Sequence, residues 1–382
     1  MYILKYLQRQ KELLNHFRDG KNFQLEESGI NIQTFAFESK AVVSFYDGTD
    51  KNLLPDQNIP ENKYFNYHVF VPMSTTKSDA FILLLHGLNE RNWDKYLIWA
   101  EYLALHTKKP VILFPIAFHI NRAPSLWADP RSMKVVMDKL KTETGDHRSL
   151  SFVNAALSER LSEKPSRFYS SGRQTINDIT QLTSGIKEGN HPLFNSGAKA
   201  DIFAYSIGSF LSEILLMANP LNLFANSRLF VFCGGSIFSH MYGESRCIMD
   251  KTAYDKLFHY YLHEWSNIVK RTFESGKVIH DDILSAFNAM INPEKYKVIR
   301  GEFFNSIKHR ISGISLQKDK VMPWNGVEAC MGIELAGKCF DLLDFPYEYT
   351  HEFPFPANGR IDDVSLNNSF FKVFNKATAF LA

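Results

Sequence analysis

The chain has 382 residues, of which 45% are hydrophobic and 22% charged, and its net charge at pH 7 is +2. This composition is typical of a globular protein with a sizeable core, and the near-neutral charge argues against a nucleic-acid-binding protein. No run of 18 apolar residues, metal-binding motif or glycine-rich nucleotide loop occurs, so we expect no membrane span, no metal and no cofactor.

The N-terminal segment and the cysteines indicate the cellular compartment in which we expect the protein. The first 17 residues predict a charged amphipathic helix, without the apolar core and cleavage site of a signal peptide. None of the four cysteines belongs to a CxxC pair, a usage typical of reduced, buried thiols. We therefore expect a cytoplasmic protein, and the sequence does not indicate its oligomeric state.

The first half of the chain predicts a sheet that begins antiparallel and becomes parallel. Residues 31–46 and 64–71 are rich in β-branched and aromatic residues, as in the strands of a meander. The continuous apolar run 80–87 predicts a strand buried on both faces. A helix at 92–107 and a second buried strand at 110–118 follow it, which is a βαβ unit with parallel strands.

The remaining elements continue the same alternation after a long mixed region at 119–199. Strands are predicted at 201–205, 228–235, 309–323 and 340–356, and helices at 207–219, 252–273 and 365–382. The apolar stripe of the helix at 252–273 has two interpretations, packing in the core or a cap over a pocket.

A serine, Ser206, lies where the strand at 201–205 meets its helix. At such an elbow the serine takes a strained conformation that points Oγ above the sheet. The residues two before and two after must be small because the helix crosses close to the strand, and here they are Ala204 and Gly208. A chance small-x-Ser-x-Gly sequence is the alternative, but its position between a buried strand and a helix favours a nucleophile.

A serine nucleophile needs a base and an acid, and the sequence offers both in order. His351 follows the last predicted strand, and Asp319 lies at the end of the preceding one. The order Ser, Asp, His, each at the carboxyl end of a separate strand, matches a catalytic triad in an open α/β sheet. Asp344 and Glu348 in the last strand, and Glu352 next to His351, are the alternative acids. Residues in that strand are poorly placed to reach the ring of a histidine that follows it.

The chemistry explains the residue types. Ser206 Oγ becomes a nucleophile when an imidazole takes its proton, and a carboxylate fixes that imidazole. The developing oxyanion needs preorganised N–H donors. We expect these from the backbone of Ile207 and of Leu88, where Gly87 permits a tight loop.

With these residues placed, the chain resembles the α/β-hydrolase superfamily of the serine hydrolase type, over residues 80–356. The resemblance rests on HG at the end of the apolar run 80–87, S-x-G at the elbow, a D-x-x-x-P loop and a histidine after the last strand. Ala204 replaces the usual glycine. The stretch between the strands at 110–118 and 201–205 exceeds the usual single helix and predicts extra structure, and no narrower family is indicated.

Substrate contacts are expected from the loop that follows the strand at 110–118. It carries His119, Arg122 and Trp127 on the catalytic side of the sheet. Arg122 is suited to gripping an anionic substrate group. The alternative is a structural arginine that satisfies loop carbonyls.

The expected fold is α/β, with a mostly parallel central sheet flanked by helices and with a helical cap. We expect a single α/β-hydrolase domain over 1–382, with its parts as follows: N-terminal helix and strands 1–75, core 80–235 and 306–382, and helical cap 239–305.

The expected function is cleavage of an ester-type acyl bond in a small-molecule substrate through an acyl-enzyme. An acyltransferase on the same fold and a non-catalytic binding protein are the alternatives. The complete triad argues against the second of these, although a fold by itself does not prove an activity.

Overall fold

The computed structural model describes residues 5–41, 56, 58–143, 148–274, 281–357, 359 and 361–382. The last part of the strand predicted at 31–46 lies outside these residues. Within them, nine strands form one sheet in the order β1-β2-β3-β5-β4-β6-β7-β8-β9. The strands are β1 Phe23–Leu25, β2 Ile30–Glu38, β3 Tyr64–Pro72, β4 Ser78–Leu85, β5 Val111–Leu113, β6 Phe194–Tyr205, β7 Leu229–Phe232, β8 Ile311–Leu316 and β9 Phe340–Leu343.

Helices cover both faces of this sheet, and none in the described ranges is long and apolar enough to cross a membrane. The α-helices are α1 Tyr6–His16, α2 Pro60–Lys63, α3 Asp94–Thr107, α4 Pro130–Glu143, α5 Ala155–Glu163, α6 Arg167–Lys187, α7 Ile207–Ala218, α8 Lys251–His259, α9 Trp265–Glu274, α10 Asp282–Ala289, α11 Lys297–Ile307, α12 Trp324–Met331, α13 Ile333–Cys339 and α14 Asp363–Leu381. Short 3₁₀ turns lie at Ile120–Arg122, Ser125–Ala128, Pro220–Asn222 and Phe238–His240, and a π-helical segment at Tyr260–Glu264 separates α8 from α9.

The pairing of the strands confirms the predicted sheet. β1, β2, β3 and β5 pair antiparallel in succession, and every pair from β5 through β4 to β9 is parallel. β4, α3 and β5 form the predicted βαβ unit. Since β5 lies on one side of β4 and β6 on the other, the chain changes direction across the sheet at β4, and ligands bind at the carboxyl ends of strands around such a point.

The side chains of β4 explain why its sequence is continuously apolar. Phe81 and Leu83 belong to the core on the side of α6 and α7, whereas Ile82 and Leu84 belong to the core shared with α3 and α14. Alternate residues of a strand face opposite sides of a sheet, so helices on both faces require apolar residues at every position.

Strands β5, β7, β8 and β9 are shorter than predicted, and contacts of the chain explain the ends of β5 and β9. β5 ends at Leu113 because the following amides bond to side chains instead of a neighbouring strand: Ile116 N–H donates to His86 Nε2 and Ala117 N–H to Thr175 Oγ1. β9 ends at Leu343, and Pro346, which has no N–H to donate to a ladder, follows closely. The helix predicted at 252–273 is interrupted by the π-helical segment.

Helix α7 crosses unusually close to the end of β4. A Cβ built on Gly208 would lie 2.6 Å from the carbonyl oxygen of Leu85 and 2.8 Å from that of His86. Real Cβ atoms do not approach backbone oxygens so closely, so glycine is required for this crossing.

The same helix carries a buried acid. The Glu213 side chain is fully buried, and neither carboxyl oxygen has a hydrogen-bond partner in the described part of the chain. Burial raises the pKa of this carboxyl well above its usual range, because an ion in apolar surroundings loses its hydration. Glu213 is therefore protonated and neutral in the folded protein.

We expect Gly208→Ala to destabilise the fold by about 1–3 kcal/mol, since α7 must move away from the two carbonyl oxygens. The matched control is Gly185→Ala in α6, where a Cβ would meet no atom within 4 Å. Alanine there stabilises the helix by roughly 0.5–1 kcal/mol. Urea unfolding measures both, and equal effects of the two substitutions would contradict the close crossing.

Glu213 gives the folding stability a distinctive pH dependence. The unfolded chain ionises this carboxyl around its ordinary pKa of 4.5, while the folded protein keeps it protonated. The contribution of Glu213 to the free energy of unfolding is fully present below that pH and declines as the pH rises, by up to about 1.4 kcal/mol per pH unit. The stability of wild type relative to Glu213→Gln should therefore fall as the pH rises above 4.5 in urea unfolding, and parallel profiles would contradict a neutral Glu213.

Candidate active site

Ser206 lies between β6 and α7 in a strained backbone conformation. Its φ is 56° and its ψ is −125°, a region that residues other than glycine rarely adopt. Its N–H donates to the Phe232 carbonyl of the neighbouring strand at 3.3 Å. The serine is thus held at the carboxyl end of the sheet, with only 3% of its surface exposed.

The structure brings Ser206, His351 and Asp319 into one chain of hydrogen bonds, the relay. Ser206 Oγ lies 2.7 Å from His351 Nε2, and His351 Nδ1 lies 2.7 Å from Asp319 Oδ2. The carboxylate accepts a hydrogen bond from Nδ1–H, which leaves a lone pair on Nε2 for the serine hydroxyl to donate to. The imidazole is therefore oriented to take a proton from Ser206.

Both carboxyl oxygens of Asp319, the acid of the relay, accept hydrogen bonds. The second oxygen of Asp319 accepts hydrogen bonds from the N–H groups of Val321 and Met322 at 2.9 and 2.8 Å. Charge-assisted bonds of this kind stabilise a buried carboxylate. The alternative acids bond elsewhere: Asp344 accepts from Tyr349 at 2.9 Å, and Glu348 pairs with Lys318 at 3.1 Å.

Two neighbours of the relay were not found by sequence reasoning. Tyr205 stacks on the His351 ring, with the centroids 5.5 Å apart, and its hydroxyl donates to the His351 carbonyl. Cys233 directly follows β7 and lies beside Asp319; burial and then that carboxylate raise the pKa of its thiol well above the usual range. The sequence indicates these two residues only by their position, since Tyr205 ends β6 and Cys233 directly follows the neighbouring strand β7.

The loop after β4 is fixed by the histidine of its HG sequence. His86 accepts from the Ile116 N–H at Nε2 and donates from Nδ1 to the Gly87 carbonyl, over 2.9 and 2.8 Å. Complete burial lowers the pKa of His86 well below its usual range, so the ring is neutral, as this bonding pattern requires. A Cβ on Gly87 would lie 3.2 Å from the Tyr205 ring, which leaves little space for a larger residue.

The next residues connect this loop to the rest of the site. Asn89 has a φ of 60°, and its side chain donates to the carbonyls of Val153 and Cys247 over 3.0 and 2.7 Å. Leu88 N–H and Ile207 N–H make no hydrogen bond to another described residue, and Ile207 begins α7, where the first N–H groups have no partner inside the helix. Neither amide is therefore occupied by a residue that the structure describes.

Three concave regions meet at Leu88 and Phe168. The serine chamber, about 40 Å³, is lined by Ser206, Ile207 and apolar side chains that include Phe238, Leu257 and Met322. The histidine chamber, also about 40 Å³, is lined by His119, Ile207, Phe210 and Phe287 among others. The outer cavity, about 470 Å³, is lined by residues that include Asn89, His119, Trp127 and Arg160. In the described ranges, no group of three or more His, Cys, Asp or Glu side chains could hold a metal.

The region predicted as a cap contributes to the serine chamber. Met241, Met249, Tyr254 and Leu257 line it together with Ser206. Residues 275–280 of the predicted cap lie outside the described residues. The boundaries 239–305 stay a prediction.

The residues predicted to bind substrate lie in different surroundings. His119 lines the outer cavity and the histidine chamber, and Trp127 lines the outer cavity with its ring 4.4 Å from the Arg160 guanidinium. Arg122 lines none of the three regions. It is fully buried, pairs with Asp178 at 2.7 Å, and donates to two backbone carbonyls at 3.1 Å.

The surroundings of Arg122 are those of the alternative interpretation, an arginine that satisfies loop carbonyls. Burial lowers the pKa of its guanidinium to about 10, against the opposing effect of Asp178, and the group stays charged. The protein itself thus supplies hydrogen-bond partners for Nη1 and Nη2 of Arg122.

Several solved structures are similar to this chain in fold, at low sequence identity. The esterase LipW from Mycobacterium marinum is 11% identical, with a TM-score of 0.45, and the match covers 98% of this chain and 87% of that one. An S-formylglutathione hydrolase from Agrobacterium tumefaciens is 11% identical, with a TM-score of 0.46 and coverages of 96% and 99%. A cold-adapted esterase from an Arctic intertidal metagenomic library is 10% identical, with a TM-score of 0.40 and coverages of 95% and 97%.

The predicted α/β architecture, a mostly parallel sheet flanked by helices, is confirmed. No curated protein matches the sequence. Residues 4–382 match a family described as a family of unknown function, DUF6051. Since that match extends over nearly the whole sequence, the chain belongs to the DUF6051 family.

Proposed function

We propose that this protein is a serine hydrolase that cleaves an ester-type acyl bond through an acyl-enzyme on Ser206. The observation that carries the proposal is the relay, in which two hydrogen bonds of 2.7 Å connect Ser206, His351 and Asp319. A serine that only capped a helix would need neither an oriented imidazole nor a strained φ of 56°. Strain of this kind is typical of functional sites.

In the first half of the reaction, Ser206 Oγ attacks the ester carbonyl carbon while its proton moves to His351 Nε2. The carbonyl oxygen becomes an oxyanion, which the N–H groups of Leu88 and Ile207 stabilise. The C–O bond to the alcohol then breaks. The leaving oxygen takes the proton from Nε2, so the alcohol departs neutral and the acyl group stays on Ser206.

In the second half, water takes the place of the alcohol. His351 Nε2 accepts a proton from the water as its oxygen bonds to the acyl carbon, and the same two amides hold the second oxyanion. The bond to Ser206 Oγ breaks, and Oγ recovers its proton from Nε2. Asp319 stabilises the imidazolium in both halves without itself taking the proton.

The cavities favour a substrate with a short apolar part. The serine chamber is lined mainly by apolar side chains and has a volume of about 40 Å³. One water takes roughly 10–15 Å³ on this measure, so the chamber holds about three or four non-hydrogen atoms. The rest of the substrate lies in the outer cavity, against Trp127 and His119.

Short esters test this proposal directly. We expect the wild-type protein to hydrolyse p-nitrophenyl butyrate, and Ser206→Ala to lower kcat/KM about 10³-fold or more by removing the nucleophile. Asp319→Asn should lower it by about 10³–10⁴-fold, because an amide does not hold the required histidine tautomer.

Matched controls separate these effects from misfolding. Ser212 is a buried serine of α7 whose hydroxyl donates to the Gly208 carbonyl, and Asp344 accepts from Tyr349. Ser212→Ala and Asp344→Asn should keep kcat/KM within a few fold of wild type. Near-normal hydrolysis by Ser206→Ala would disprove the proposal, and loss in Asp344→Asn but not in Asp319→Asn would reassign the acid.

A further inference from the structure

His119 has a buried nitrogen without a partner. Its side chain is 94% buried, and Nε2 has no hydrogen-bond partner among the residues that the structure describes. A buried polar atom normally has a partner, because leaving it unpaired costs the full loss of its hydration. His119 is among the residues that line both the histidine chamber and the outer cavity, where a ligand can supply that partner.

The bonding of the other ring nitrogen decides what that partner must be. His119 Nδ1 lies 2.9 Å from the Ala117 carbonyl oxygen, which can only accept a hydrogen bond, so Nδ1 carries the proton. Burial, together with the charges of Arg160 and Arg122, lowers the pKa of His119 to about 4, so the ring is neutral near pH 7. Nε2 is therefore a pure acceptor.

The position of this acceptor connects it to the reaction. The histidine chamber is lined by His119 together with Leu88 and Ile207, whose amides are the proposed oxyanion donors. Its other walls are mainly apolar, among them Ile116, Phe210 and Phe287. In such surroundings a single acceptor discriminates strongly between groups that donate a hydrogen bond and groups that do not.

From this geometry, and resting on the proposed hydrolase function, we infer that the substrate is an ester with a hydrogen-bond donor, a hydroxyl or N–H group, that binds His119 Nε2. His119 is then a specificity residue and takes no part in the proton transfers of the relay. The donor belongs either to the acyl group or to the alcohol, and the two sources give different results in a comparison of substrates.

The test uses two pairs of small esters, with hydrolysis followed by pH-stat. Methyl 3-hydroxybutyrate carries a hydroxyl on the acyl group that methyl butyrate lacks. In 2-hydroxyethyl butyrate, a hydroxyl on the alcohol part takes the place of the terminal methyl group of propyl butyrate. In one pair we expect wild-type kcat/KM to be about tenfold higher for the hydroxylated ester, the effect of one hydrogen bond in an apolar site.

Two substitutions isolate the acceptor. In His119→Asn the side-chain amide can still donate to the Ala117 carbonyl, but nothing reaches the position of Nε2. In His119→Gln the longer side chain places an amide oxygen near that position. We expect the preference for the hydroxylated ester to disappear in the asparagine variant and to be largely retained in the glutamine variant.

A second buried histidine provides the matched control. His191 bonds to the Tyr67 hydroxyl at 3.0 Å and accepts from the Leu193 N–H at 3.2 Å, and it lines none of the three regions. His191→Asn should leave the substrate preference as in wild type. Thermal unfolding of each variant identifies any that are misfolded.

The outcomes are distinct. Hydrolysis of all four esters without preference in either pair would overturn the inference and leave the hydrolase function intact. A preference that persists in His119→Asn would overturn the assignment to His119. If neither these esters nor p-nitrophenyl butyrate is hydrolysed, the proposed function fails and the inference fails with it.

Discussion

The strained turn at Ser206 is the constraint on which the rest of the site depends. A non-glycine residue at a φ of 56° costs of the order of 1–3 kcal/mol, so the surrounding packing must hold it there. The holding contacts are the bond from Ser206 N–H to β7 and the close approach of Gly208 to the carbonyls of Leu85 and His86. The same approach brings the start of α7 next to the loop that carries Leu88, so one packing arrangement positions both the hydroxyl and its two neighbouring amides.

Contacts between loops connect the two sides of this site. Lys95 pairs with Glu90 at 2.6 Å and donates to the Glu352 carbonyl at 3.0 Å, which joins the loop after β4 to the loop of the histidine. Tyr205 stacks on His351 and bonds to its carbonyl. The imidazole is thus positioned by β6, the strand that precedes the nucleophile, and by α3, in addition to its own loop. These contacts favour a site that is already arranged for proton transfer before the substrate binds.

The sequence predicted those features that depend on neighbours in the chain. The apolar run of β4 and the small residues around Ser206 reflect local rules for buried strands and elbows, and both predictions agree with the structure. The order of Asp319 and His351 along a parallel sheet was enough to predict their meeting, because parallel strands bring their carboxyl ends to one edge. The structure brings these side chains together as that order predicts.

Features that depend on distant partners could not be predicted in the same way. Arg122 pairs with Asp178, 56 positions further along the chain. β5 ends early because the amides that follow it donate hydrogen bonds to the side chains of His86 and Thr175. No local pattern in the sequence indicates such contacts. Tyr205 and Cys233 were likewise assigned only to buried strands, since what places them beside the relay is the register between strands.

The measurement that tests the central claim most directly is labelling with a fluorophosphonate, read by intact mass and peptide mapping. Such probes react with a serine that a neighbouring base has activated. The account predicts one adduct, mapped to Ser206, on the wild-type protein, and none on Ser206→Ala or on His351→Ala. No adduct on folded wild-type protein, or an adduct that persists in Ser206→Ala, would contradict it.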